Sequence, residues 1–536
     1  MPKVLVLGGS FAGIVCCHVP HHVTRLSDHF PYVQMAARNI KCQVPHADIT
    51  IVDQKDYFEY TPGILRALVD PSHLPLLHAR MSDVVNSPSL LQQAVGWWPT
   101  AAAVKTLWAH KPTQAVPAPQ GLHFLWGTVQ SLDTEARRAV VQPCSGNAVP
   151  LHLAYDYVVL ATGSDYAAPM KPSPFERCQS ARVAAVAAVH AQLHALSQRS
   201  ALSGHVLVIG GGAVGVEMVG ELVSAFPSLR VSLVSSSSRL LAEQTPAVGA
   251  AALAWCAARG VQVLLGVRAD RQSPSTPSQR GVLRSRSKSR KPPLADTSLA
   301  GAAAGAPAGA GGSVEDAARA HVLQATQGGR FKLSSGDTLD ADMVFTCVGF
   351  KPSSSHVAPP NSPLHATLAP SKQITVNDQL QAQLPGGSAS CGRMFSAGDV
   401  ALHAASSELK LAHTAEMMAH TVAANVAGSM HSNAQPSPLA ALTAAMWSWL
   451  LLLLRVLGIG SSPVSGSQLH TYPGHMTGYT GWPIPRVMCI SLGPSEAILV
   501  MNGMSLTSSP GRVAGAWAKW VIETSKMWAT RDLAIG

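Results

Sequence analysis

The chain has 536 residues, of which 47% are hydrophobic and 13% charged, with a net charge of +10. The apolar share excludes a wholly disordered protein, and the length accommodates two or three domains with cores of their own. Charged residues are only about half as frequent as in an ordinary soluble domain, which leans towards membrane contact, although Ala- and Gly-rich stretches dilute the charge as well.

The chain opens on a short aliphatic run, Val4-Leu5-Val6-Leu7, that leads into Gly8-Gly9-Ser10-Phe11-Ala12-Gly13. A strand, a turn lacking Cβ atoms and then a helix bring backbone N–H groups and the positive helix end up to a pyrophosphate. Because the N-terminus runs straight into this strand, no signal peptide is expected, and Pro2 stands where N-myristoylation requires glycine. A second strand, Asp48 to Val52, ends at Asp53, whose carboxylate can accept hydrogen bonds from ribose hydroxyls. Gly13 and Asp53 lie 40 residues apart, against about 20 in the usual pattern, so an insertion is expected between His18 and Pro45. Its histidines, His18, His21, His22 and His29, have no cysteine or carboxylate pattern beside them and read as a surface loop rather than a metal site.

The run Tyr155 to Leu160 reads as a buried strand ending in the small turn Ala161-Thr162-Gly163. A second cradle follows Val206-Leu207-Val208-Ile209 at Gly210-Gly211-Gly212-Ala213-Val214-Gly215, with Gly210, Gly212 and Gly215 as the expected contacts. Two cradles imply two dinucleotides in one protein, and the natural chemistry is electron transfer from one to the other. Glu217 stands on the first turn of the following helix, where the dipole favours a carboxylate whether or not it takes part in chemistry. The next strand, Val231 to Val234, runs into Ser235-Ser236-Ser237-Ser238-Arg239 with no acid. Hydroxyls and a guanidinium there, notably Ser235 and Arg239, would accept a 2′-phosphate that an acid would repel, so NADPH is expected to serve at least as well as NADH.

From Ala269 to about Ala320 the sequence is Ser/Pro/Arg-rich and then Ala/Gly-rich, and a disordered insertion is expected. Between Arg280 and Lys291 it carries six basic residues and no acid, a solvated run for which nucleic acid or an anionic membrane is the alternative partner. Leu339 to Gly349 mirrors the earlier strand and small turn, and Arg393 to Val400 adds a third strand ending at Asp399, with a helix expected from Lys410 to Gly428.

Beyond residue 431 lies an apolar tail. Leu439 to Leu454 is a 16-residue apolar run stopped by Arg455, shorter than the ~20 residues that span hydrocarbon, so spanning, interfacial and core readings stay open. Val513, Trp517, Trp520, Val521, Thr524 and Trp528 recur on one helical face with Lys519, Glu523 and Lys526 on the other, a pattern that suits either a core or a bilayer interface. None of the nine cysteines stands in a C-x-x-C or C-x4-C pair, and a reducing compartment without a disulfide framework is expected.

The order of these signatures resembles the two-dinucleotide flavoproteins, which include glutathione reductase, ferredoxin reductases and type II NADH dehydrogenases. The first cradle, Tyr57-Phe58, Leu65-Arg66-Ala67, the run from Gly210 to Met218 and the terminal Thr530-Arg531-Asp532-Leu533 are most similar to the AIF-like, mitochondrion-associated quinone reductases of the ferroptosis suppressor protein family. The resemblance implies an α/β fold of two Rossmann-like dinucleotide-binding domains. A discontinuous FAD domain would occupy 1–171 and 351–430, an inserted NAD(P) domain 172–350, and a membrane- or quinone-associated region 431–536. FAD would be held by Gly8, Gly9, Ser10, Phe11, Ala12, Gly13, Asp53, Arg66, a backbone contact near Val129, the Ala161-Thr162-Gly163 turn, Asp399 at the ribityl chain and the helix beginning near Lys410. Ser10 departs from the family's middle glycine but is small enough to be tolerated. Glu217 would face nicotinamide and flavin, orienting the carboxamide or exchanging a proton. The activity implied is hydride transfer from NADPH or NADH to FAD, then two electrons to a ubiquinone-like quinone, by a cytoplasmic protein peripheral on a membrane such as the mitochondrial outer face or a lipid droplet. No metal and no nucleic acid are expected. The competing readings are a soluble reductase of a protein carrier or of monodehydroascorbate, and a redox-responsive nucleic-acid-binding flavoprotein.

Overall fold

The computed structural model describes residues 1–10, 12, 40, 44–86, 121–145, 148–200, 203–272, 313–384, 391–403, 412–432, 487–501 and 504–530. In the first unit, β1 (Lys3–Leu7) buries four successive aliphatic side chains, as a strand covered on both faces must. β2 (Asp48–Asp53) lies parallel to it with Leu7 opposite Val52. Tyr57–Glu59 pairs antiparallel with His78–Arg80 around the short helix α1 (Ile64–Val69). The long strand β3 (Leu122–Asp133) then opens an antiparallel meander with β4 (Arg138–Pro143) and β5 (Leu151–Ala154), and β6 (Tyr157–Leu160) returns beside β1.

Helix α2 (Gln179–Ser197) leads into the second unit, which runs β7 (His205–Ile209), α3 (Ala213–Ala225), β8 (Arg230–Ser235), α4 (Pro246–Ala257), β9 (Gln262–Leu265), β10 (Ala269–Arg271), α5 (Val314–Thr326), β11 (Gln327–Leu333) and β12 (Thr338–Thr346). Its strands stand in the order β9-β8-β7-β12-β11-β10, parallel from β9 to β12 and antiparallel beyond. The chain then returns to the first unit, where β13 (Met394–Ser396) completes a sheet of order β13-β6-β1-β2-β3-β4-β5. Helix α6 (Ala412–Ser432) follows and buries Met417, Met418, Val422 and Val426. The two passages between units lie side by side. Ser164–Asp165 pairs antiparallel with Lys351–Pro352, the Ser353 N–H donates to the Gly163 carbonyl at 3.0 Å, and the Thr162 hydroxyl donates to the Ser353 carbonyl at 2.7 Å.

A third, smaller layer closes over both. It is an antiparallel sheet of β14 (Val487–Ser491), β15 (Ala497–Met501) and β16 (Met504–Leu506), followed by helix α7 (Ser509–Thr530). Among the described residues no helix is long and apolar enough to cross a membrane, and the Leu439 to Leu454 run lies outside them.

Buried charge fastens α2 to the first unit. Arg182 is fully buried and donates from Nε to Glu59 Oε2 at 2.7 Å, from Nη1 to Glu176 Oε2 at 2.7 Å and from Nη2 to the Pro169 carbonyl at 3.1 Å. His78 Nε2 lies 3.0 Å from the same Glu59 oxygen.

One boundary expected from sequence is corrected. Ala269 to Arg271 form β10 rather than the start of a disordered stretch, and helix α5 begins at Val314, inside it. Ser313 and Asp316 form a reciprocal capping box, and Ala318, Val322 and Thr326 are buried as α5 packs against α2. Composition hid a helix that a cap and an apolar stripe specify.

Candidate functional site: two nucleotide cradles under a C-terminal cover

In the first cradle Gly8 has φ +110°, and a Cβ there would overlap the Ala161 carbonyl oxygen. Only glycine lets the loop lie this close to the end of β6. The Gly9 N–H donates to Asp53 Oδ2 at 2.6 Å and the Lys55 N–H to Asp53 Oδ1 at 2.8 Å. The carboxylate is thereby fixed at the tip of β2 and keeps lone pairs for a ribose. Ser10 is half-buried and Ala12 buried, while Phe11, Gly13 and Lys410 lie outside the described residues. Val129 buries its side chain on β3 opposite Val141, so only its backbone can meet a ligand.

At the same end of this sheet the Ala397 N–H donates to the Leu160 carbonyl at 3.1 Å, bringing Gly398-Asp399 beside the Ala161-Thr162-Gly163 turn, with the Cβ position of Gly398 3.2 Å from the Ala12 Cβ of the cradle. The Cβ position of Gly398 is 3.7 Å from the Ala415 Cβ, so the first described turn of α6 stands against it. Asp399 Oδ2 accepts from the Ser164 hydroxyl at 2.5 Å and lies 3.3 Å from Lys171 Nζ. Lys171 also donates to the Ser164 carbonyl at 2.9 Å and to its Oγ at 2.7 Å. Neither Ser164 nor Lys171 was expected. Their one signal in the sequence is a lysine eight residues past Gly163, in a stretch from 164 to 175 otherwise uncharged but for Asp165.

The second cradle repeats the first. Gly210 has φ +122°, and a Cβ there would overlap the Cys347 carbonyl at the end of β12, as at Gly8 and Ala161. A Cβ at Gly211 would sit 2.6 Å from Ser235 Oγ, and one at Gly215 would overlap the Gly210 carbonyl, so loop, β8 and α3 are mutually tight. Gly212 is open. Ser235 is buried, and Arg239 donates from Nη2 to the Ala242 carbonyl at 2.6 Å. Arg239 Nη1 is buried and has no hydrogen-bond partner among the described residues, a donor in want of an anion. Past the strand end the chain brings an acid after all: exposed Glu243 has Oε1 4.0 Å from the Cβ position of Gly212. It lies eight residues beyond β8, outside the window in which a ribose acid is sought. Cradles that a Cβ would fill, a fixed carboxylate at one and an orphan guanidinium nitrogen at the other fit two dinucleotides.

On α3, just past the second cradle, stands Glu217, whose Oε1 accepts from the Ser491 N–H at 2.8 Å and from Lys519 Nζ at 2.7 Å. One turn along α3, buried Glu221 accepts from Arg66 Nη2 at 3.2 Å and from the Ser491 hydroxyl at 3.1 Å. Arg66, expected on FAD, thus turns its guanidinium across the domain boundary to Glu221 and, at 3.4 Å, to the Gly493 carbonyl. A carboxylate buried on α3 requires that counter-charge.

Helix α7 is inverted relative to a core helix. Lys519 and Glu523 face inward, Lys519 to Glu217 and Glu523 to His73 Nε2 at 2.6 Å. The apolar stripe faces out, with Trp517 65% and Trp520 54% exposed and Val513 and Val521 exposed beside them. Glu217 of α3 and His73 of the turn Pro71–His73 take the polar face, which leaves the tryptophans uncovered. The side chains of Thr524, Lys526 and Trp528 lie outside the described residues. The described cysteines Cys144, Cys178, Cys256, Cys347 and Cys489 are free. Near Glu217, burial pushes the Cys489 thiol up to about 11, which keeps it protonated.

A family profile for pyridine nucleotide-disulphide oxidoreductases matches residues 2–289 and 312–419. The chain is 25% identical over 250 residues to oxidoreductase OXR1 of Ajellomyces capsulatus, an alignment covering 45% of each chain, so it spans about half the length of that relative. It is 25% identical over 458 residues to ferroptosis suppressor protein 1 of Mus musculus, covering 85% of this chain and 87% of the relative. The fold is similar to that of the sulfide:quinone oxidoreductase of Aquifex aeolicus, with a TM-score of 0.55 at 13% identity, covering 99% of this chain and 92% of that one.

Proposed function

Because the chain belongs to the pyridine nucleotide-disulphide oxidoreductase family, with FAD and NAD(P)H as its cofactors, we propose that it carries electrons from NADPH or NADH to a quinone at a membrane surface. The observation that carries this reading is the inverted helix α7. Its inner face holds Glu217 through Lys519, and its outer face offers tryptophans to an apolar phase. FAD, when bound, supplies a two-electron store between donor and acceptor.

This chain's residues bind, orient and shield. Asp53 and the Gly8–Gly9 backbone hold the adenosine half of FAD, while Asp399, Lys171 and Ser164 meet its ribityl end. The Gly210 cradle with Ser235 and Arg239 takes the nicotinamide nucleotide. Glu217 stands ready to orient the carboxamide, held in place by the Ser491 N–H of β14 and by Lys519 of α7. The chemistry asks for no cysteine pair, and the five described cysteines are free. The reading places the protein peripherally on a membrane. Anaerobic NADPH should bleach the flavin absorbance, and a short-chain quinone should restore it. A reduced enzyme that no quinone reoxidises would remove the acceptor.

The donor follows from Arg239 and Glu243 as opposing charges. Arg239→Ala should lower kcat/KM for NADPH about tenfold, roughly 1.4 kcal/mol, and leave NADH little changed. Glu243→Gln should shift preference the other way, towards NADPH. A parallel fall with both donors in Arg239→Ala would place the 2′-phosphate elsewhere.

A further inference from the structure

A compact charge cluster stands against the first cradle. The Cβ position of Gly398 is 3.2 Å from the Ala12 Cβ, which sets the neighbouring Asp399 beside the cradle. Asp399 Oδ2 accepts from the Ser164 hydroxyl at 2.5 Å and lies 3.3 Å from Lys171 Nζ. Its Oδ1 accepts from none of the described residues and is left for a ligand. Lys171 also donates to the Ser164 carbonyl at 2.9 Å and to its Oγ at 2.7 Å, which fixes the ammonium in place. The same Nζ lies 5.6 Å from the centre of the Tyr166 ring, and Tyr166 stacks on Phe350 with ring centres 6.4 Å apart. Tyr166 and Phe350 flank the rung between Ser164–Asp165 and Lys351–Pro352, so residues from both passages surround the cation. Among the described residues Lys171 is the one cation paired with Asp399, and their side chains are only 22% and 24% exposed.

The chemistry gives this pair a task. In the first half-reaction NADPH + FAD gives NADP⁺ + FADH⁻: a C–H bond of the nicotinamide breaks, an N–H bond forms at flavin N5, and the electron pair moves with the hydrogen. The flavin gains a negative charge. A bare carboxylate at its ribityl end would oppose that gain, and in a partly shielded site the opposition is felt over several Å.

We infer that Lys171 sets the redox balance of the bound flavin by cancelling the charge of Asp399. This rests on the reading above that the flavin end of FAD meets Asp399. Lys171 is a positioning residue, acting through that carboxylate. Its removal leaves Oδ2 still held by the Ser164 hydroxyl, so what is lost is the charge and not the place of Asp399.

The test is the midpoint potential of the flavin in full-length, FAD-loaded protein, read against a reference dye during slow reduction by xanthine and xanthine oxidase, so that neither nicotinamide nor quinone enters. Lys171→Met should move the ratio of reduced to oxidised flavin at a fixed potential about tenfold towards oxidised, a midpoint about 30 mV lower. Asp399→Asn leaves the ammonium unpaired and should move the ratio about tenfold the other way. Lys171→Arg and the double substitution Lys171→Met/Asp399→Asn keep the net charge and should stay within about twofold of wild type. Lys171→Met within about twofold of wild type overturns the inference. So does movement of both single substitutions in the same direction, which marks a loosened site rather than a charge effect. A Lys171→Met protein that takes up no FAD overturns it as well, since Lys171 is assigned the flavin's charge balance and not its retention. Asp399→Asn with wild-type potential and wild-type FAD affinity removes Asp399 from the flavin, and the inference falls with the reading beneath it.

Discussion

Arg182→Met will lower the unfolding free energy by about 3–5 kcal/mol at neutral pH, because it strands two carboxylates inside the protein. Glu59 and Glu176 are both buried and share this one guanidinium. Burial alone would raise the Glu59 carboxyl, but Arg182, helped by His78, outweighs it and lowers the group from 4.5 to about 2. A depressed carboxyl stabilises the fold at pH values above its unfolded value. That contribution, on the order of 3 kcal/mol, is lost as pH falls from about 4.5 through about 2. In the methionine variant the sign reverses: protonating Glu59 relieves an unpaired charge, so mild acid should narrow the gap to wild type. Urea unfolding of both proteins at pH 7 and pH 4 measures this. A loss below about 1 kcal/mol at pH 7, or a gap that widens in acid, would refute the account. Adding Glu59→Gln and Glu176→Gln to Arg182→Met should recover part of the loss, since no charge is then left unpaired.

The second large effect separates the cradles. Gly210→Val should slow NADPH-driven flavin reduction about a hundredfold or more, since the added side chain meets the Cys347 carbonyl and forces the loop away from the ligand. The backbone there also sits at φ +122°, where a β-branched residue is strained. The variant should keep its yellow colour and still be bleached by dithionite, because the first cradle is untouched. Gly8→Val should do the reverse and yield colourless protein. A Gly210→Val protein reduced by NADPH at the wild-type rate would show that the second loop does not carry the donor.

The cradles were legible because their grammar is local. A β-branched run, glycines at fixed offsets and a helix sit within about 15 residues. The repeat was legible too, in the small turns that follow each partner strand. Across the structure Ala161 and Cys347 prove to be the residues whose carbonyls lie closest against the two loops. What the sequence could not convey was direction. Helical periodicity in α7 separates Trp517 and Trp520 from Lys519 and Glu523, but which side faces the body depends on the turn Pro71–His73 and on α3, hundreds of residues away. Glu217 and His73 decide it, and they draw the charged face inward. Lys171 escaped notice for the same reason, since its partner Asp399 is 228 positions distant. The helix α5 was missed although its signal was present: Ser313 and Asp316 spell a cap at the edge of an Ala-rich stretch, and composition masked it.

The adjoining passages at Ser164–Asp165 and Lys351–Pro352 have a consequence for chain entropy. To the first unit, everything between those residues is a single loop whose ends meet across one hydrogen-bonded rung. The free energy of closing such a loop rises only with the logarithm of its length, so a whole folded body can be carried there at little more expense than a long hairpin. A replacement body of different size, entering and leaving at the same rung, would leave the host sheet's register undisturbed. Donor chemistry can therefore be exchanged as a cassette, so long as the new body keeps a guanidinium for Glu59 and a carboxylate for Arg66.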